Sequence, residues 1–134
     1  ALAKRFESHC FGTEWELLPE AAENPAEFLR SLDLYVYGVG PNLKESWGRA
    51  VVEAMLTGAV PVVQGGAGHM DKLLMHGESG FICQSADEFG HYARMLQDEP
   101  ERRQAMSRRA HDWAVAEWCN PERHLALWRR LFEG

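Results

Sequence analysis

A strand, a loop, a helix and a second strand follow one another in the first half of the sequence, and this order limits the possible folds. The apolar and aromatic run Asp33–Tyr37 predicts a strand. A loop rich in Gly, Pro and Asn leads to a predicted helix from Ser46 to Thr57, which ends at Gly58 because glycine readily adopts the left-handed conformation of helix C-termini. Val60–Val63 is a short buried strand. Two strands joined through a helix predict a parallel sheet with a right-handed crossover.

The other segments extend this pattern to a Rossmann-like α/β domain of about four parallel strands with flanking and C-terminal helices. Further strands are predicted at Trp15–Leu18 and Phe81–Cys83. Helices are predicted over 2–10, from the cap Asn24 to Leu32, over 71–75, from the capping box at Ser85 to Gln97, over 100–118, and from the cap Asn120 to Phe132. We predict that the apolar residues of the last helices form core: Tyr92, Met95, Leu96, Met106, Trp113, Trp118, Leu125, Leu127, Trp128 and Leu131.

Composition excludes several classes of partner. The 134 residues carry a net charge of −6, which argues against nucleic acid as a partner. The three cysteines and six histidines show no metal-ligand spacing, so we expect reduced thiols and no metal. We expect a cytoplasmic protein, peripheral to the inner membrane in its full-length form. Because the sequence opens inside a predicted helix, we expect residues 1–134 to be a single domain that is truncated at its N-terminus.

Two carboxylates, Glu45 and Glu53, lie eight positions apart in and before the predicted central helix. Eight helical residues rise about 12 Å, which exceeds the roughly 5 to 9.5 Å between carboxyl groups that act on one glycosidic bond. The two side chains instead suit opposite ends of one long ligand, with Glu53 accepting hydrogen bonds from a vicinal diol such as ribose. Gly48 permits close approach of a ligand, and the amides from Trp47 to Arg49 are candidate phosphate donors.

A structural interpretation competes with this one. Glu45, Arg49 and Glu53 follow one another at a spacing of four residues, which also predicts a ladder of salt bridges along a helix. In that case the carboxylates would stabilise the helix and bind nothing.

The run E-S-W-G-R-A-V-V-E-A-M-L-T-G-A-V-P-V-V, which begins at Glu45, resembles the Glu-x7-Glu signature of the group 1 family of retaining nucleotide-sugar glycosyltransferases with the GT-B fold. The preceding S-L-D-L-Y-V-Y resembles the family's strand, and H-G-E-S-G-F-I resembles its D-G-x-x-G turn. The run W-x-x-x-x-W-x-x-P-E-R resembles its C-terminal helices. The resemblance extends from about Ser31 to the end of the chain.

The resemblance implies a role for each matching residue. Glu45 would be the catalytic residue that contacts the hydroxyls of the donor sugar, and Glu53 would accept both ribose hydroxyls. Donor sugar and phosphate would be held by Ser46, Trp47, Gly48 and Arg49. The donor would be a UDP-, GDP- or ADP-sugar, with no cofactor and no metal. The reaction would retain configuration at the anomeric carbon.

At several positions the sequence differs from the family pattern, and the roles of those positions stay open. Arg49 replaces an aliphatic residue, while Ala67 and Asp71 replace the Gly and Glu of a G-G-x-x-E turn. The family's pyrophosphate-binding Arg and Lys, and its N-terminal domain with the acceptor site, have no counterpart in this sequence, so we expect the isolated chain to be inactive. A nucleotide-sugar epimerase and a non-catalytic interaction module with a degenerate site are the alternatives.

Overall fold

The structure is a computed structural model that describes residues 24–133. The strands are β1 (Leu34–Tyr37), β2 (Val60–Gln64) and β3 (Phe81–Cys83). The helices are α1 (Pro25–Arg30), α2 (Arg49–Thr57), α3 (Met70–Leu73), α4 (Ala86–Asp98), α5 (Pro100–Trp118) and α6 (Pro121–Glu133). Within this part of the chain, no helix is long and apolar enough to cross a membrane.

The strands form one parallel sheet in the order β1-β2-β3. Tyr37 pairs with Val63 across the first two strands, and Val63 pairs with Ile82 across the next two. The α/β architecture with a parallel sheet is therefore confirmed. The described sheet has three strands instead of about four, because the strand predicted at 15–18, like the helix predicted at 2–10, lies outside residues 24–133.

The core has two layers because β2 is buried on both faces. Val60 and Val62 point to one face, where they pack with residues of β3, α4 and α5. Val63 points to the other face and packs against α2, α3 and α5. Helix α5 takes part in both layers, through Met106 in the first and Ala110 in the second. Continuous apolar strands of this kind are typical of parallel sheets covered on both sides.

Three predicted helix ends are confirmed. The side chain of Asn24 accepts a hydrogen bond from the amide of Ala26 at 3.0 Å and caps α1. The hydroxyl oxygen of Ser85 accepts from the amide of Glu88 at 3.3 Å and caps α4. Gly58 ends α2 with φ of 96°, in the left-handed region that glycine tolerates.

The predicted start of the central helix is wrong. Helix α2 begins at Arg49 and not at Ser46, because Gly48 has φ of 81° and a left-handed residue cannot extend the helix backwards. A β-carbon at Gly48 would lie only 2.4 Å from Cδ1 of Leu73, so this glycine also permits close packing against α3. Glu45 therefore lies on the preceding loop. The 12 Å rise of a continuous helix does not describe its separation from Glu53.

The prediction of core at the C-terminus is wrong for α6. Its apolar residues Leu125, Leu127, Trp128, Leu131 and Phe132 are each more than half exposed. Their helical spacing produces an apolar stripe, but no residue between 24 and 133 covers it. Trp128 and Phe132 instead stack on each other with ring centroids 5.7 Å apart.

Candidate functional site

The loops that follow β1 and β2 meet at the carboxyl edge of the sheet. Residues 38–48 connect β1 to α2, and residues 65–69 connect β2 to α3. The side-chain oxygen of Gln64 accepts a hydrogen bond from the amide of Val39 at 3.0 Å and ties the first loop to the end of β2. Open α/β sheets bind ligands at this edge. Most of the residues that the sequence singled out, from Glu45 to Gly48, lie here.

The second loop holds the backbone of Glu45. The Glu45 amide donates to the carbonyl of Ala67 at 3.0 Å, and the His69 amide donates to the carbonyl of Glu45 at 3.0 Å. Together these bonds form a parallel bridge between Glu45 and Gly68. Gly68 has φ of 85°, and a β-carbon there would lie 2.4 Å from the Glu45 carbonyl oxygen. Glycine is therefore required at the point of closest approach.

Asp71 fixes the shape of this second loop. Both of its carboxylate oxygens lie 3.1 Å from the amide of Gly66, which donates to them. The run G-A-G-H-M-D, residues 66–71, is the turn whose role the sequence left open, and its backbone holds that of Glu45. Asp71 stabilises this turn by accepting the hydrogen bond from Gly66, and it makes no hydrogen bond to Glu45.

The side chain of Glu45 is held at both oxygens. Oε2 accepts a hydrogen bond from the hydroxyl of Tyr37 at 2.8 Å, and Oε1 accepts from the amide of Trp47 at 3.2 Å. The Tyr37 hydroxyl and then the amides of Trp47 and Gly48 lower the pKa of Glu45, with a smaller contribution from Ser46, against a small opposing effect of desolvation. The carboxylate is therefore ionised near neutral pH and can only accept hydrogen bonds.

Tyr37 is correspondingly held in its protonated form. Its hydrogen bond to Glu45 is the largest cause that raises the pKa of Tyr37 to about 12, followed by burial. The phenol therefore donates to the carboxylate across the whole physiological range. An ionised carboxylate offers about four acceptor positions, and the two hydrogen bonds from Tyr37 and Trp47 use one on each oxygen.

The predicted phosphate donors are placed as follows. The Trp47 amide donates to Glu45, so it is engaged within the protein. Ser46 is exposed, and Gly48 is buried as the N-cap of α2. The indole of Trp47 is partly exposed and meets the ring of Trp118 edge to face at a centroid distance of 6.1 Å. The loop thus presents one hydroxyl and one indole beside the Glu45 carboxylate.

Glu53 lies at the surface, although its neighbours in the sequence are apolar. Its side chain is 48% exposed, and that of Arg49 is 81% exposed. The buried residues of α2 are Val51, Val52, Ala54 and Met55, so Glu53 lies on the solvent side of a helix whose sequence is apolar on most faces. Tertiary packing, which the periodicity does not show, decides this orientation.

Only half of the predicted salt-bridge ladder forms. Nε of Arg49 lies 3.3 Å from Oε1 of Glu53, whereas the Glu45 carboxylate is bonded to Tyr37 and Trp47. The structure nevertheless places both carboxylates near one phenol. Burial and then the charges of Glu53 and Glu45 raise the pKa of Tyr35, so both negative groups act on this residue.

The C-terminal end of α5 contacts the end of α3, which in turn packs against the loop between β1 and α2. The indole N–H groups of Trp113 and Trp118 both donate to the carbonyl of Leu73, at 2.9 and 3.0 Å. The side chain of Leu73 lies directly against Gly48, so the W-x-x-x-x-W spacing stabilises the start of α2. Among residues 24–133, no three or more His, Cys, Asp or Glu side chains are grouped so that they could hold a metal ion.

Two residues of this site, Tyr37 and Gly68, were not singled out from the sequence, and the role of Asp71 was left open there. Tyr37 is the last residue of β1 and thus lies at the carboxyl edge, which is the one signal that could have singled it out. The contact of Gly68 with Glu45 joins two different loops, and a single sequence does not show such a pairing.

A parallel sheet covered by helices, with its first two βα loops joined around Glu45, defines a Rossmann-like α/β domain. Solved structures confirm the fold. The C-terminal domain of the glycosyl transferase group 1 family protein LpcC from Francisella tularensis is similar with a TM-score of 0.62 and 20% identity, covering 78% of this chain and 52% of that one. HepE from Anabaena, in complex with UDP-glucose, gives a TM-score of 0.59 and 22% identity, covering 69% of this chain and 25% of that one.

The family itself is shown by the sequence. The model of the family "Glycosyl transferases group 1" matches residues 5–113, so the chain belongs to this family. A similar protein is the GDP-Man:Man(3)GlcNAc(2)-PP-Dol alpha-1,2-mannosyltransferase of Dictyostelium discoideum, which is 28% identical over 75 residues. That alignment covers 56% of this chain, and the chain spans only 15% of the mannosyltransferase. The chain thus has the fold of the C-terminal domain of a GT-B glycosyltransferase.

Proposed function

We propose that residues 1–134 form the donor-binding part of a glycosyltransferase, as one truncated Rossmann-like domain of a longer enzyme. Family membership supports the general activity. The observation that carries the proposal is the Glu45 carboxylate, which is ionised, held at both oxygens and located where parallel α/β sheets bind ligands.

The donor is a nucleotide-sugar, and Glu45 accepts hydrogen bonds from the hydroxyls of its sugar. An ionised carboxylate can only accept hydrogen bonds, which suits a ligand rich in hydroxyl groups. HepE is similar in fold and was solved with UDP-glucose, and the similar mannosyltransferase is named for GDP-mannose. These names support the class of donor. UDP, GDP and ADP are the nucleotides to be compared.

Glu53 accepts both ribose hydroxyls of the nucleotide. Its exposure supports this assignment, because the carboxylate is accessible and its ion pair with Arg49 is open to solvent. Exposed pairs of this kind contribute only about 0 to 1 kcal/mol, so a ligand can replace it at small cost. The first turn of α2, which follows the buried Gly48, lies between the two carboxylates in the sequence, and its amides would face the diphosphate.

The transfer retains configuration at the anomeric carbon. The bond from that carbon to the diphosphate oxygen breaks, a bond to the acceptor oxygen forms on the same face, and the proton of the acceptor hydroxyl passes to the departing phosphate. The protein mainly positions the reactants and stabilises the charge on the leaving group. We propose that neither a metal nor a cofactor takes part.

The isolated chain transfers little or no sugar. It spans 15% of the similar mannosyltransferase and 25% of HepE, which supports the view that the acceptor site lies on another part of the enzyme. We infer that this part is an N-terminal domain of the same protein and that the acceptor binds between the two.

The test uses the full-length protein with UDP-glucose and GDP-mannose, and it measures release of nucleoside diphosphate and calorimetric binding of UDP, GDP and ADP. Glu45→Gln should lower kcat by about a hundredfold, as expected for loss of a charged contact made in the transition state. Glu53→Gln should raise the KM for the donor about tenfold. Glu27→Gln, an exposed carboxylate on α1, is the control. Wild-type activity in both site variants, or binding of none of the three nucleotides, would refute the proposal.

A further inference from the structure

We propose that Tyr37 is a positioning residue for Glu45 and that its hydroxyl sets the orientation in which this carboxylate meets the donor sugar. This inference rests on the proposed function. It begins with the 2.8 Å hydrogen bond from the Tyr37 hydroxyl to Oε2 of Glu45, which joins the last residue of β1 to the loop eight residues further on.

A glutamate side chain on a loop has three rotatable bonds and keeps a single orientation only when its carboxylate is held. Here the Trp47 amide holds Oε1, and this donor moves with the loop itself. Tyr37 holds Oε2 from the sheet, which is the rigid part of the domain. Its hydroxyl is therefore the only side-chain donor among residues 24–133 that ties the carboxylate to the scaffold.

The phenol ring is itself fixed. Tyr37 is paired in the sheet opposite Val63, and its ring stacks on that of Tyr35 with a centroid distance of 5.8 Å and an interplanar angle of 14°. A side chain held by both backbone pairing and ring stacking has little freedom to move away from Glu45. Preorganised groups of this kind support catalysis because they need no rearrangement during the reaction.

Tyr35 provides a matched control. It lies on the same strand and the same face two residues earlier, and its hydroxyl makes no hydrogen bond to any residue from 24 to 133. Tyr37→Phe and Tyr35→Phe thus remove the same atom from two stacked rings. Only the first change removes a bond to Glu45.

The experiment compares wild type, Tyr37→Phe, Tyr35→Phe, Glu45→Gln and the double variant Tyr37→Phe/Glu45→Gln in the full-length protein, with UDP-glucose and GDP-mannose as donors. Tyr37→Phe should lower kcat by on the order of tenfold or more, the usual effect of losing a hydrogen bond to a charged group. The donor KM should change by less than about threefold, because the lost hydrogen bond lies within the protein and is not made to the donor. Tyr35→Phe should stay within about twofold of wild type.

The double variant shows whether Tyr37 acts through Glu45. If it does, adding Tyr37→Phe to Glu45→Gln should lower kcat by less than about twofold further, because the group that Tyr37 positions is already altered. Equal losses in the presence and absence of the Glu45 carboxylate would overturn the inference, as would a kcat for Tyr37→Phe equal to that of Tyr35→Phe. Both results leave the proposed function intact. A wild type that releases neither UDP nor GDP overturns the proposed function and this inference together.

Discussion

The backbone pairing of Glu45 with Gly68 predicts a sharp difference between two glycines of one turn. Gly66 and Gly68 both have positive φ, at 69° and 85°. A β-carbon at Gly66 would meet nothing within 4 Å, whereas one at Gly68 would lie 2.4 Å from the Glu45 carbonyl oxygen. Alanine at either position destabilises the fold by about 1–2 kcal/mol because a β-carbon is unfavourable in the left-handed conformation. Only Gly68→Ala also forces the two loops apart.

The additional loss at Gly68 follows from the bonds that would break. Two backbone hydrogen bonds join Glu45 to the turn, and each contributes about 0.5–1.5 kcal/mol. Gly68→Ala should therefore lower the free energy of unfolding by about 2–5 kcal/mol and Gly66→Ala by about 1–2 kcal/mol. Urea unfolding followed by tryptophan fluorescence measures both values. Equal midpoints for the two variants would show that Glu45 and Gly68 are not paired.

Three further changes have defined outcomes. Arg49→Ala should change the melting temperature by no more than about 2 °C, because its ion pair is exposed; a larger loss in calorimetry would favour a structural role. Protonated Tyr37 stabilises the fold below its ordinary pKa of 10.0, and this contribution is lost as the pH rises towards about 12. Unfolding measured across that range should thus be less pH-dependent in Tyr37→Phe. Tyr35, whose pKa is raised by burial, and Cys83, whose pKa burial raises to about 12, contribute a background that is present in both proteins. Trp113→Phe and Trp118→Phe each leave one donor on a shared carbonyl. In urea unfolding, their double variant should lose about 1 kcal/mol more than the two single losses combined; additive losses would contradict the shared bond.

Much of the fold could be predicted because local chemistry specifies it. Asn24 and Ser85 begin helices because their side chains accept hydrogen bonds from the first amides, and Gly58 ends a helix because glycine tolerates a left-handed backbone. The structure shows all three in these roles. The order of strands and helices likewise follows from the alternation of short apolar runs with helical ones.

Predictions from the sequence were wrong where contacts between residues distant in the sequence determine the structure. Helical periodicity cannot distinguish a helix that starts at Ser46 from one that starts at Arg49, because it does not show that Gly48 adopts a left-handed conformation, close to Leu73 of a later helix. Glu53 has apolar neighbours in sequence, yet its exposure depends on which side of α2 the sheet covers.

The candidate site shows the same division. Glu45 could be singled out by its spacing within a sequence pattern, whereas its partner Tyr37 is found only once the loop after β1 folds back. The bracing by Gly68 requires a second loop. A single sequence thus predicts which residue carries the charge, but not what orients it.

Helix α5 links the two layers of the core, and this linkage affects how the domain unfolds locally. Its residues Met106 and Ala110 belong to different layers of the core, and Ser107 between them donates a 2.7 Å hydrogen bond to the carbonyl of Gly58 at the end of α2. Neither face of the central strand β2 can therefore reach solvent while this one helix stays in place. Because α5 contacts both layers, they should open together, and the amides of β2 should exchange with one common free energy of opening.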